Sequence, residues 1–267
     1  MSTPPRDYLV PHLMTLPPHR VMIRMIEARL FAETAPDMPE PILDVGSGDG
    51  TFAQIAFPGK KIYGIDPIKS DTHEAYGRGV YQGLSVADGK HLPFADNTFA
   101  AGFSNCVLEH VLPLKETLSE TYRTLKPGAT FVASVVGNRF PEQLLGTKIL
   151  NALGFDGMAY GRWFNKVSVH RNTLSRADWS ARFEEAGFEV VSCRPYFSDQ
   201  ALELFDLSHY LGAPSLITRK LFGRWILAAP FTLNWLWEPI LRPLYNAPAP
   251  ADAPYYFFIL KKPETTK

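Results

Sequence analysis

The chain has 267 residues, enough for one large domain or one domain with an added part, and its 46% apolar content permits a sizeable core. Lysine plus arginine and aspartate plus glutamate each count 27, so the formal charge is zero, which weighs against a long polyanionic partner. The two cysteines, Cys106 and Cys193, lie far apart in no metal-ligand spacing, and residues 1–18 read as a loose proline-containing arm without a targeting signature, so a cytoplasmic protein with reduced thiols is expected.

From His19 to Thr34 the apolar residues Met22, Met25, Ile26, Leu30 and Phe31 share one helical face, and Pro17-Pro18 suits the helix start. Pro39-Glu40-Pro41 breaks the pattern before a first strand, Ile42 to Val45, which glycines end. A short helix over Thr51 to Phe57 and a second strand over Lys61 to Ile65 follow; Asp66-Pro67 stops that strand. A third strand falls between Gly79 and Asp88, and a fourth covers Phe99 to Ser104. Leu114, Leu118, Tyr122 and Leu125 recur at helical spacing until Lys126-Pro127-Gly128, and Ala129 to Val136 is a β-branched fifth strand. Ser175 to Asp178 opens a helix like a capping box, ending at Gly187 before a sixth strand from Phe188. Asp199 to Pro254 reads as an insert of two or three helices, and Tyr255 to Lys261 as the last strand.

Strands alternating with helices predict an α/β fold: a doubly wound, seven-stranded, mostly parallel sheet with a helical insert before its last strand. The expected layout is an arm and helix over 1–40, a core over 41–198, a helical cap over 199–254, and the last strand with its tail over 255–267. Ligands of such sheets bind at the carboxyl ends of the strands near the topological switch point. That directs attention to Gly46-Ser47-Gly48-Asp49-Gly50, a glycine-dense turn after the first strand, with Asp66 ending the second. A dinucleotide site needs its third glycine one residue later, and Asp44 and Asp49 would repel a pyrophosphate. S-adenosylmethionine carries an ammonium and a sulfonium and no phosphate, so electrostatics favours this methyl donor.

Five pieces in order carry a resemblance: Leu43 to Gly50, Gly64-Ile65-Asp66, Ala87-Asp88 ahead of Leu92-Pro93-Phe94, Val107-Leu108-Glu109-His110, and Leu125 to Gly128. With them the chain resembles the class I S-adenosylmethionine-dependent methyltransferases, in particular the small-molecule group that includes the ubiquinone/menaquinone C-methyltransferases, over about Pro41 to Val136. The resemblance implies the Rossmann-like methyltransferase fold and S-adenosyl-L-methionine as cofactor. It implies a binding set of Asp44, Gly46, Ser47, Gly48, Gly50, Asp66, Pro67, Ala87, Asp88, Asn105 and Cys106. In it the glycine turn holds the methionine part, Asp66 the ribose and Asp88 the adenine amino group, while Ser104, Asn105 and Cys106 border the methionine moiety. The family often has Phe-Asp where this chain has Phe99-Ala100, a departure at a structural position. Asp66 also has a plain alternative as a strand-end cap, Asp88 as a turn residue and Cys106 as a small packed side chain.

Methyl transfer needs alignment above all, with a base where the acceptor is a hydroxyl or an acidic carbon. His110, after the fourth strand, is the candidate base; the alternative is that it and Glu109 order the helix start. His170, Tyr160 and His209 are weaker candidates. Ser104-Asn105-Cys106-Val107 is not the Asn-Pro-Pro-Tyr type that grips a planar amide or base, and no metal-ligand spacing exists. The expected function is methyl transfer to oxygen or carbon of a small, partly apolar or lipid-like acceptor, with no nucleic acid as partner. A macromolecule methyltransferase and a non-catalytic binding module are the alternatives. Leu216 to Tyr245 mixes Trp225, Trp235 and Trp237 with Arg219, Lys220, Arg224 and Arg242, which suits a lid over an apolar pocket, a dimer contact or peripheral membrane contact.

Overall fold

The computed structural model describes residues 6–34, 38–212, 214–222, 233–248 and 250–264. Arg224 and Trp225 lie outside the described residues, so the part they play in the insert is left aside. Short β-branched and aromatic runs form seven strands: β1 (Ile42–Val45), β2 (Ile62–Asp66), β3 (Tyr81–Val86), β4 (Phe99–Asn105), β5 (Leu125–Val136), β6 (Glu189–Tyr196) and β7 (Tyr255–Lys261). They make one sheet in the order β3-β2-β1-β4-β5-β7-β6. β7 runs antiparallel to both its neighbours, and the pairings from β3 to β5 are parallel. The expected mostly parallel, doubly wound sheet is therefore present.

Helices cover both faces. Along β5, Val132 and Val136 enter one apolar core while Phe131, Ala133 and Val135 enter the other, as strand alternation requires. The first core holds α1 (Leu9–Leu13) and α2 (Pro18–Thr34), with α3 (Thr51–Ala56) behind the glycine turn. Phe31 of α2 is its hub, with ring centroids 5.0–5.6 Å from those of Phe52, Phe57, Phe103 and Phe257. α4 (Lys69–Gly77) joins β2 to β3, and α5 (Leu114–Thr124) packs Leu118 into the second core.

Two expectations are corrected. The amino-terminal segment is no loose arm where it is described. Leu9 and Leu13 are buried, Arg242 forks onto the Asp7 carboxylate at 2.8 and 3.0 Å, and the Tyr8 N–H donates to Tyr245 Oη at 3.2 Å. Lys126-Pro127-Gly128 does not separate α5 from β5: the strand begins at Leu125 and absorbs the triplet where its pairing with β4 skips from Leu125 to Thr130, a place that demands no ladder hydrogen bond from proline.

After β5 come α6 (Phe140–Gln143), α7 (Leu145–Ala152) and α8 (Gly157–Val167), which the sequence pattern left as a plain segment. α9 (Arg176–Glu185) starts as expected: Ser175 Oγ accepts the Asp178 N–H at 3.1 Å and donates to Asp178 Oδ2 at 2.6 Å. The insert comprises α10 (Asp199–Gly212), α11 (Pro214–Phe222) and α12 (Glu238–Asn246). α10 lies on α2 and meets the 137–163 segment through Lys148 Nζ to Glu203 Oε1 at 2.8 Å and the Gly146 N–H to Asp206 Oδ2 at 2.9 Å. No helix among the described residues is long and apolar enough to cross a membrane.

Candidate active site

The strand order reverses between β1 and β4, and a cavity of about 260 Å³ opens at their carboxyl ends. Of the residues picked out from the sequence, Asp44, Gly46, Ser47, Gly48, Asp66, Asn105, Cys106 and His110 line it. Gly50, Pro67, Ala87 and Asp88 do not. Ala87 stays close, its N–H donating to the Asp66 carbonyl at 3.2 Å, whereas Asp88 stands at the surface in an ion pair with Lys90 at 3.2 Å.

The glycines of the turn have different reasons to be glycine. A Cβ on Gly46 would come within 2.5 Å of Val107, so close packing forbids it. Gly48, at φ +51°, has open space where its Cβ would be, so its backbone is bare toward the cavity. Asp66 Oδ2 accepts the Gly48 N–H at 3.0 Å and Oδ1 the Ile68 N–H at 2.8 Å, so this carboxylate shapes the turn as well as facing the cavity. Ser47 Oγ and Thr51 Oγ1 are buried there with no hydrogen-bond partner, polar atoms that a bound molecule would satisfy.

The cavity is less acidic than its sequence implies. Burial raises the Asp44 carboxyl to about 7, against the opposing hydrogen bond from Tyr81 Oη at 2.7 Å, so Asp44 is half-neutral at neutral pH. Burial also works to raise Asp49, but Arg20 and the Thr51 N–H prevail and hold it below its usual range. Arg219 of α11 reaches across to Asp49 at 3.5 Å, Asp71 at 2.7 Å and Glu74 at 3.6 Å.

Periodicity arguments treated α2 as a packing helix, yet it carries the main polar frame of the site. Glu27, fully buried, accepts from Arg24 at 2.7 Å and Asn105 at 2.9 Å on Oε2, and from Tyr196 at 2.7 Å and Cys106 Sγ at 2.8 Å on Oε1. Ser134 Oγ accepts the Cys106 N–H at 3.0 Å and donates to Asn105 Oδ1 at 2.7 Å. These bonds hold Cys106 at φ +51°, an uncommon conformation for a side-chain-bearing residue. The readable signal was Arg20, Arg24 and Glu27 recurring at helical spacing among the apolar residues of the helix.

Residues 43–133 match the family model described as a methyltransferase domain. The chain is 36% identical over 96 residues to a ubiquinone/menaquinone biosynthesis C-methyltransferase of Desulfotalea psychrophila, covering 34% of this chain and 39% of that protein. It is 28% identical over 210 residues to an arsenite methyltransferase of Halobacterium salinarum, covering 72% of this chain and 49% of that protein. The chain thus spans less than half the length of these curated relatives. A solved S-adenosylmethionine-dependent methyltransferase of Thermotoga maritima shares the fold at 17% identity and a TM-score of 0.56, over 94% of this chain and 92% of that one. Residues 43–133 are thus similar to methyltransferase domains, and the fold around them is that of solved S-adenosylmethionine-dependent methyltransferases.

Beside the glycine turn lies a second cavity, of about 470 Å³. The two share Arg20, Arg24, Cys106 and His110 as a common wall. α8 contributes Trp163 and Phe164, α10 contributes Phe205, His209 and Tyr210, and α2 contributes His19. The aromatic lining therefore comes from α8, α10 and Tyr255 of β7; among the described residues of 216–245 none reaches this cavity, and Arg219 serves the first one instead. His170 and His209 line the second cavity, and Tyr160 stands outside it with its hydroxyl bonded to Asp206. Burial holds His110 below the usual imidazole range, opposed by its bond to the Val169 carbonyl at 3.1 Å; a carbonyl only accepts, so Nδ1 carries the proton and Nε2 is the basic atom.

Proposed function

We propose that the chain transfers a methyl group from S-adenosylmethionine to an oxygen or carbon of a small, partly apolar acceptor. The observation that carries this reading is the pair of cavities meeting at Arg24, Cys106 and His110: a polar one beneath the glycine turn and an aromatic one beside it. The bare backbone of Gly48, the unpartnered hydroxyls of Ser47 and Thr51 and the Asp66 carboxylate suit a molecule with ribose and amino-acid groups. When bound, the cofactor supplies a methyl group on an electron-poor sulfonium. The chain's own residues align the acceptor against it, exclude water and take up a proton where the acceptor has one to lose. The relatives' names point to unlike acceptors, a quinone precursor and arsenite, so the acceptor is argued from the aromatic walls alone.

Calorimetric titration with S-adenosylmethionine tests the donor, and mass detection of methylated products in a small-molecule extract tests the acceptor class. No heat of binding would sink the reading. With His110 at the shared wall, His110→Ala is expected to slow turnover about tenfold through poorer alignment of the acceptor while leaving cofactor affinity within about twofold. Unchanged turnover would remove His110 from the chemistry.

A further inference from the structure

Two polar side chains that line the aromatic cavity are sealed from solvent, and each keeps one atom without a hydrogen-bond partner. Glu109 is 1% exposed, and its Oε2 has no hydrogen bond. His19 is 8% exposed, and its Nδ1 has none either; Gly212 of α10 leaves the room that ring occupies, since a Cβ there would collide with Nδ1. His209, whose ring centroid is 4.5 Å from that of His19, also presents an unpartnered Nδ1. A buried polar atom without a partner is costly, so several around one cavity mark places that a ligand would satisfy.

The two polar stations differ. Glu109 borders Cys106 and His110, which belong to the wall shared with the cofactor cavity, so whatever bonds Glu109 lies next to the transferable group. His19 and His209 come from α2 and α10. Between them Trp163, Phe164 and Phe205 supply flat apolar surface. Arg20 and Arg24 also face this cavity, which disfavours a protonated amine and suits an oxygen that gains negative charge as its proton leaves.

We infer that the aromatic cavity takes a hydroxylated aromatic acceptor and that Glu109 is the residue that bonds its reacting hydroxyl and receives the proton, with the His19–His209 pair holding a second polar group. The inference rests on the methyltransferase reading above. The acceptor oxygen gives a lone pair to the methyl carbon as that carbon's bond to sulfur breaks, the electron pair stays on sulfur, and the hydroxyl proton moves to Glu109 Oε2. Burial raises the Glu109 carboxyl to about 8, against the pull of Arg24, and Glu27 adds to the rise. The other titratable groups packed around it are Cys106 at the end of β4, His110 at 4.0 Å, and Tyr255 of β7; burial raises Cys106 and Tyr255 far above neutrality and holds His110 below its usual range. Among these, Glu109 is the group that ionises between neutrality and about pH 9.

The probe is 2-naphthol, with naphthalene as its hydroxyl-free counterpart, titrated by calorimetry into protein saturated with S-adenosylhomocysteine. Wild-type protein should prefer 2-naphthol by about tenfold, and Glu109→Leu should reduce that preference to about twofold or less. Methyl transfer to 2-naphthol should rise with pH to a plateau with a midpoint near 8. Glu109→Gln should lower the rate about a hundredfold and abolish that rise, while binding S-adenosylhomocysteine normally, which shows that it folds. His110→Ala should keep the rise; a base with the lowered value of His110 would instead give a flat profile above neutrality. Normal S-adenosylhomocysteine binding with no preference for 2-naphthol, or a Glu109→Gln protein with wild-type rate and profile, overturns the assignment alone. Failure of wild-type protein to bind S-adenosylhomocysteine overturns the methyltransferase reading and the inference with it.

Discussion

Asp66 serves two masters at the residue scale. Its oxygens accept the N–H groups of Gly48 and Ile68, and the same carboxylate faces the cavity where a ribose would lie. Burial raises its pKa, and the two N–H bonds oppose that rise. Asp66→Ala is therefore expected to weaken S-adenosylmethionine binding by about 1–3 kcal/mol and to lower the melting temperature as well, because the turn loses its anchor. Calorimetry and a thermal melt read the two effects separately; an unchanged dissociation constant would leave Asp66 as a strand-end cap only. Residue types at this turn were legible in the sequence because a bare glycine and an acidic strand end are needed wherever the backbone must face a ligand. Charge state was not: Asp44 and Asp49 look alike in the sequence, yet burial leaves one half-neutral and Arg20 keeps the other ionised.

Elements with one exposed and one buried face were readable because periodicity reports burial directly. α9 shows it, since its capping box and its buried Trp179 and Phe183 follow from local pattern alone. Ser175→Ala should cost about 1 kcal/mol in chemical denaturation and leave cofactor affinity unchanged, since α9 lies on the face away from the aromatic cavity. A loss of affinity would mean that the helix start is coupled to the site. The short helices α6 to α8 escaped detection. α7 and α8 are amphipathic, but they are short and crowded between turns, and Phe140, Leu144 and Phe164 are buried against elements remote in sequence. α2 misled in the opposite direction: its apolar stripe was seen, and the half-buried Arg24 paired with the buried Glu27 passed as ordinary helix charge.

Across the whole molecule, buried ionisable groups set an unusual pH response. Asp44 and Glu109 have folded values raised to about 7 and about 8, so between their ordinary range and those values the folded state binds more protons than the unfolded one. Stability must then fall as pH rises, by about 2 kcal/mol between about pH 6.5 and 8. His12, His19 and His170 are lowered by burial to about 4, about 3 and about 3, so below about pH 6.5 the protons they gain on unfolding outnumber those the two carboxyls give up, and stability falls on that side too. Chemical denaturation of the free protein should show a maximum near neutrality, and a flat response from about pH 6.5 to 8 would contradict the burial argument. The sequence by itself determined the order of the strands along the chain, the glycine turn and the acidic end of β2, because backbone preference and face periodicity are local. Only the tertiary structure decided that α2 and α10 wall an aromatic cavity, that Glu27 gathers Arg24, Asn105, Cys106 and Tyr196, and that Glu109 is sealed with its Oε2 left without a hydrogen bond. These depend on residues up to 169 positions apart meeting in a dry interior, and burial there sets both their partners and their charge.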